Sequence, residues 1–110
     1  MSSREFVRRV QDMLTEMGVV EETIAGLSFE DFVQNRQALR AVLYSLAVLG
    51  EAVASVINDL EAAEPKTLWH QIRGMRNAVI HEYFQVDMEI VWQTTQLDLP
   101  ILKSSLQRIL

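Results

Sequence analysis

The sequence predicts an all-α fold: one domain spanning residues 1–110, an up-and-down bundle of four main helices with short extra helices. Three observations predict it. Apolar residues recur at helical spacing along most of the chain. Only four glycines and two prolines interrupt them, and no linker, repeat or low-complexity run appears. No segment alternates apolar and polar residues convincingly as a strand does. The length fits one domain, and 49% hydrophobic residues are enough to build a core, which argues against disorder.

The first helix is expected over about Ser3–Ala25. Ser2 and Glu5 have capping-box spacing. Phe6, Val10, Met13, Met17, Val20, Ile24 and Leu27 then follow in alternating steps of four and three, a seam for packing within the molecule. Gly26 and Ser28 break it. A short helix follows at Phe29–Gln34, with Ser28 as cap and Asp31 three residues on. The third, about Arg36–Glu61, is apolar over a wide arc through Leu39, Val42, Leu43, Leu46, Leu49, Val53, Val56, Ile57 and Leu60, and should be central. Glu64-Pro65 marks a break. The fourth helix begins near Lys66 and carries Leu68, Trp69, Ile72, Met75, Val79 and Ile80. Tyr83-Phe84-Gln85-Val86 reads as a turn. Asp87 can cap a fifth helix with Ile90, Val91 and Trp92 facing inward. Asp98, with Pro100 in the first turn, starts the last helix to Leu110.

Composition excludes several classes. With no cysteine there is no disulfide framework and no thiolate metal site, which fits a reducing cytoplasm. Met1-Ser2-Ser3-Arg4-Glu5 leads into a segment charged every few residues, unlike a signal peptide. The longest apolar stretch, Ala41–Leu49, is bracketed by Arg40 and Glu51 and falls short of the about 20 residues a bilayer span needs. No membrane association is expected. The net charge of −5 argues against nucleic-acid binding by bulk charge. It leaves room for a local site. Lys66 to His81 contains no Asp or Glu, whereas Lys66, Arg73 and Arg76 are basic. The acids Glu16, Glu21, Glu22, Glu30, Asp31, Asp59, Glu61 and Glu64 cluster elsewhere.

The chemistry concentrates in Arg76-Asn77-Ala78-Val79-Ile80-His81-Glu82-Tyr83. The two histidines, His70 and His81, lack partners at metal-ligand spacing, so no metal and no cofactor is expected. No Gly-rich phosphate loop or nucleophile elbow is present. Arg76 and His81 suit phosphodiester cleavage in RNA, which carries its own nucleophile in the 2′-OH. A base must take that proton, an acid must protonate the leaving 5′-oxygen, and a cation must hold the charged phosphorane. An imidazole can be base or acid near neutrality, and a guanidinium offers a permanent charge and a planar fork for phosphate oxygens.

At about 100° per residue, Arg76 and His81 lie about 140° apart on an ideal helix. Either the helix ends or distorts near His81, or the groups converge across a subunit boundary. Counting groups favours the second: one motif histidine per chain, and a reaction that wants both acid and base. Two chains on a two-fold axis would bring two histidines and two arginines to one cleft. One chain with a water as base would also serve.

Arg76-Asn77-x-x-x-His81-x-Tyr83 resembles the R-polar-x3-H signature of the HEPN superfamily, with the further tyrosine of HepT-like toxins. Gly74-Met75-Arg76-Asn77, Glu82-Tyr83-Phe84, Val86-Asp87, Gly50-Glu51-Ala52 and Asp98-Leu99-Pro100 are similar to the same family, so the resemblance covers essentially the whole chain without departure at a motif position. It implies a HEPN-like helical fold, a homodimer and a metal-independent endoribonuclease toxin of a toxin–antitoxin system. It also implies a minimal nucleotidyltransferase antitoxin as partner, which in some members adds AMP to the motif tyrosine. Carried over, Arg76 and His81 are catalytic, Asn77 orients or supports them, and Tyr83 is the modification site.

Other residues read more plainly. Arg73 could contact RNA phosphate, although a solvated face suits it better. His70 is expected to be structural or exposed. Trp69 and Trp92 belong in the core rather than in base stacking. Glu51, if buried in its apolar helix, needs a partner such as Arg40 or an arginine of the fourth helix. Two other functions compete with the ribonuclease. One is a non-catalytic dimeric module that presents a surface or substrate to a nucleotidyltransferase; the other is a purely structural bundle.

Overall fold

The computed structural model describes residues 3–81 and 85–110; for residues 76–78, 80 and 81 it describes the backbone. The helices are α1 (Ser3–Ile24), α2 (Phe29–Gln34), α3 (Arg36–Ser55), α4 (Ile57–Ala63), α5 (Trp69–His81), α6 (Met88–Gln93) and α7 (Leu99–Ile109). A π-helical turn, Thr94–Asp98, joins α6 to α7. Among the described residues there is no strand. The fold is the expected all-α, HEPN-like bundle, with α1, α3, α5 and α7 as its main helices.

Helix α3 is the centre. By length and composition it could cross a bilayer, but here Val42, Leu43, Leu46, Leu49 and Val53 are buried and α3 packs on both α1 and α5. The α1 seam supplies Val10, Met13, Met17 and Val20, all at most 2% exposed, with Phe6, Ile24 and Leu27 half-buried at its ends. Removing each such side chain from water contributes about 1.5–3 kcal/mol. The Ser2 cap proposed for α1 lies outside the described residues.

Local chemistry sets the boundaries. Gly26, at φ 77°, turns the chain out of α1, a conformation glycine adopts without steric cost. Ser28 and Asp31 form the full capping box of α2: the Asp31 N–H donates to Ser28 Oγ and the Ser28 N–H to Asp31 Oδ2, each at 3.1 Å. Asn35 caps α3 by accepting from the Ala38 N–H at 3.0 Å. Asp87 caps α6, its Oδ1 accepting from Glu89 and Ile90.

Three expectations are corrected. The third helix is not continuous to Glu61: it breaks at Val56 (φ −134°, ψ 27°). The Ser55 hydroxyl donates to the Ala52 carbonyl at 2.6 Å, and that carbonyl is the one an unbroken helix would offer to the Val56 N–H. The Val56 N–H turns to Val53 instead, at 3.2 Å, and the re-aimed backbone buries both Val56 and Leu60. The fourth helix starts at Trp69 rather than near Lys66. The Glu64 carbonyl accepts from both the Thr67 N–H and Trp69 Nε1, which holds the intervening residues in a turn after Pro65.

Ile90 does not face inward: it is 61% exposed, while Val91 is buried and Trp92 half-buried against Phe29 and Phe32, with ring centroids 6.2 and 5.1 Å away. Asp98 immediately precedes α7, with Pro100 in its first turn, as expected; helical backbone continues from α6 into α7 through the π turn, where the Leu99 N–H reaches back to Thr94. Pro100 gives the reason. Its ring would clash with the carbonyl four residues back, and the turn before it is widened. The Tyr83–Phe84 part of the expected turn lies outside the described residues.

Candidate functional site

Helix α5 carries the motif. Trp69 is buried at its start, and Ile72, Met75 and Val79 pack against the core beside α3. The Trp69 indole donates to Glu64 at 3.0 Å, so the helix is tied down at its N-terminal end. Arg108 of α7 pins the same turn. Its Nε lies 2.6 Å from Glu64 Oε1, its Nη2 donates to Ser105 Oγ at 3.1 Å, and Ser105 in turn shares a 2.8 Å hydrogen bond with Thr67.

Residues 69–81 are helical without interruption. Arg76, Asn77 and His81 are therefore positions of one regular helix, with Arg76 and His81 about 140° apart around its axis. Their side chains, and Tyr83 altogether, lie outside the described residues. Arg73 is exposed on α5, as expected of a solvated side chain. His70 is exposed, and its Nε2 lies 2.6 Å from Glu61 Oε1 of α4. Glu51, for which a partner was expected if it proved buried, is exposed at the rim of a pocket between α1 and α3 with Arg9, Asp12 and Glu16. Trp69 is core, as expected.

Two features were not anticipated. A groove of about 410 Å³ runs between α5 and the π turn with α7, lined by Lys66, Leu68, Gln71, Met75, Ile101 and Arg108 among others. Met75 and Thr94 also line a smaller cavity of about 230 Å³ toward Val86 and Ile90. The outward-facing Leu68 and Ile101, 61% and 66% exposed, give the groove an apolar rim. Helical periodicity alone could not separate such residues from core residues.

The second feature is Gly74. It sits in the middle of α5, is exposed, and a Cβ built there would meet nothing within 4 Å. Its φ is not positive. A glycine in a helix interior costs about 1 kcal/mol against alanine, and no contact among the described residues offsets that. A glycine two residues before the motif arginine was the signal available in the sequence.

Among the described residues no group of three or more His, Cys, Asp or Glu is placed to hold a metal ion. The acid-free run from Lys66 to His81 coincides with α5 and the turn before it, so Arg73 and Arg76 share a helix with no acid of its own.

The family model described as Ribonuclease HepT-like matches residues 13–109. The chain is 37% identical over 101 residues to a protein provisionally named an RNase in Caldanaerobacter subterraneus subsp. tengcongensis, covering 92% of this chain and 90% of that one. It is 31% identical over 100 residues to a protein provisionally named ribonuclease HepT in Thermococcus cleftensis, covering 91% of each. A protein provisionally named an RNase in Methanocaldococcus jannaschii is 30% identical over all of this chain and 95% of its own. No solved structure matches the chain significantly.

Proposed function

The chain belongs to the HepT-like ribonuclease family, and from that premise we propose that it is a metal-independent endoribonuclease, the toxin of a toxin–antitoxin pair, acting as a homodimer. The observation that carries this reading is the intact Arg76-Asn77-x-x-x-His81-x-Tyr83 motif, whose arginine and histidine sit on a helix free of acids. His81 moves the proton, from the attacking 2′-OH or to the leaving 5′-oxygen. Arg76 holds the charge that builds on the phosphorane oxygens. Asn77, one residue on, supports the arginine.

The helical backbone supports the dimeric form. Two groups about 140° apart on a rigid helix converge poorly on one phosphate. A two-fold pair of α5 helices supplies a second imidazole and a second guanidinium from the other side of the cleft. A minimal nucleotidyltransferase is the partner, and Tyr83 is the hydroxyl that receives AMP. Addition of AMP there would put negative charge and bulk two residues from His81, where a substrate phosphate must approach. The protein acts in the cytoplasm, consistent with its lack of cysteine.

A second reading, a non-catalytic dimeric module for a nucleotidyltransferase, draws on the exposed apolar rim of Leu68 and Ile101 beside the α5 groove. Product analysis separates the two. Purified protein, free of partner, should cleave single-stranded RNA in EDTA and leave 2′,3′-cyclic phosphate and 5′-hydroxyl ends. Intact RNA at high protein concentration would favour the module, and 5′-phosphate ends would rule out attack by the 2′-OH.

A further inference from the structure

Among the described residues, nothing gives Gly74 a structural use: no neighbour comes close enough to exclude a side chain, and its φ is not in the positive region that glycine alone favours. What it provides is a gap on the outer face of α5. On an ideal helix Gly74 and His81, seven residues apart, fall within about 20° of each other and about 10 Å apart along the axis. The gap is therefore in line with the motif histidine rather than with the face that packs on α3.

The surroundings select what approaches. From Lys66 to His81 every formal charge is positive, and Arg73 is exposed beside the glycine. Gly18 of α1 also opens onto space, but Glu16, Glu21 and Glu22 flank it. Of these two gaps, the one on α5 suits a polyanion. His70 lies on the same stripe, four residues before Gly74, with Nε2 already held by Glu61, so at that end the helix offers clearance more than free charge.

We propose that Gly74 is a substrate-positioning residue: the ribose–phosphate backbone of the RNA lies along the outer stripe of α5, and the missing side chain lets it come close enough to present its scissile phosphate at His81. The inference rests on the ribonuclease reading above and extends it to a residue outside the motif. A side chain at position 74 would hold the strand away from the helix and weaken binding, while leaving the groups that break the bond in place.

The test compares wild type with Gly74→Ala and Gly74→Leu. Melting temperature, dimerisation by sedimentation, cleavage kinetics, and affinity for 2′-O-methyl RNA, which lacks the nucleophile, are measured on each. Gly74→Ala should melt higher by about 4–8 °C, as helix propensity dictates, yet bind the RNA more weakly. Gly74→Leu should lose affinity and gain KM on the order of tenfold, with kcat changed far less. An active wild type alongside variants that bind and cleave equally well overturns the positioning role alone. A Gly74→Leu protein that falls to monomer overturns it too, because the gap then receives a second copy of the chain. A wild type that neither cleaves nor binds RNA removes the ribonuclease reading and this inference with it. Gly74→Ala keeps the test decisive if the leucine variant does not fold.

Discussion

Arg76 and His81 lie five residues apart on a helix that is regular from Trp69 to His81, which separates their directions by about 140°. That relationship shapes the functional account. That separation is what the proposed homodimer answers, by bringing groups from a second copy to the far side of the cleft. It also makes α5 a rigid strut whose placement matters, and the ties at its N-terminal end become testable.

Trp69 is the first of those ties, 1% exposed and hydrogen-bonded to the Glu64 carbonyl. Trp69→Ala should cost about 3–5 kcal/mol in urea unfolding, from lost burial and the cavity left behind. Trp69→Phe retains most of the apolar contact but leaves a carbonyl with one donor fewer, and should cost about 1–3 kcal/mol. Equal losses for the two would show that the hydrogen bond, and not the ring, dominates.

Caps set the ends of α2 and α6. Ser28→Ala removes one half of the capping box and Asp87→Ala removes an acceptor for two backbone N–H groups. Each should lower stability by about 1 kcal/mol. Asn at either position should restore most of it, and equilibrium denaturation reads both effects.

The Lys103–Glu21 ion pair between α7 and α1, 2.9 Å long, is exposed at both ends. Lys103→Met should change stability by less than about 1 kcal/mol, the range of exposed pairs. A larger loss would mean that the lysine stem's packing matters more than its charge.

Tyr83 carries the regulatory part of the proposal. Co-expression with the partner nucleotidyltransferase and ATP should add mass in AMP units to wild type and none to Tyr83→Phe, as intact-mass spectrometry would show. Silencing without any mass gain would point to steric masking by the partner instead.

Much of this was legible in the sequence because helix periodicity and capping are local. The α1 seam, the Ser28–Asp31 box and the Asp87 cap each depend on residues within a few positions of one another, and the fold forms all three. What was missed depends on competition for the same groups or on distant partners. The break at Val56 follows from the Ser55 hydroxyl occupying the Ala52 carbonyl, one weak choice inside a strongly apolar run. The late start of α5 follows from an indole reaching back five residues. The widened turn before Pro100 carries helical backbone from α6 into α7, which periodicity did not show. At the site, the motif was visible as letters and spacing, whereas the α5 groove exists only once α7 and the π turn are in place.

The most direct test of the central claim is the cleavage rate of Arg76→Ala and His81→Ala in EDTA, measured on protein whose melting and dimerisation match wild type. The account predicts that each substitution lowers the rate by about 100-fold or more, the scale of a lost proton-transfer or charge-stabilising group. Cleavage at wild-type rate by either variant would contradict it.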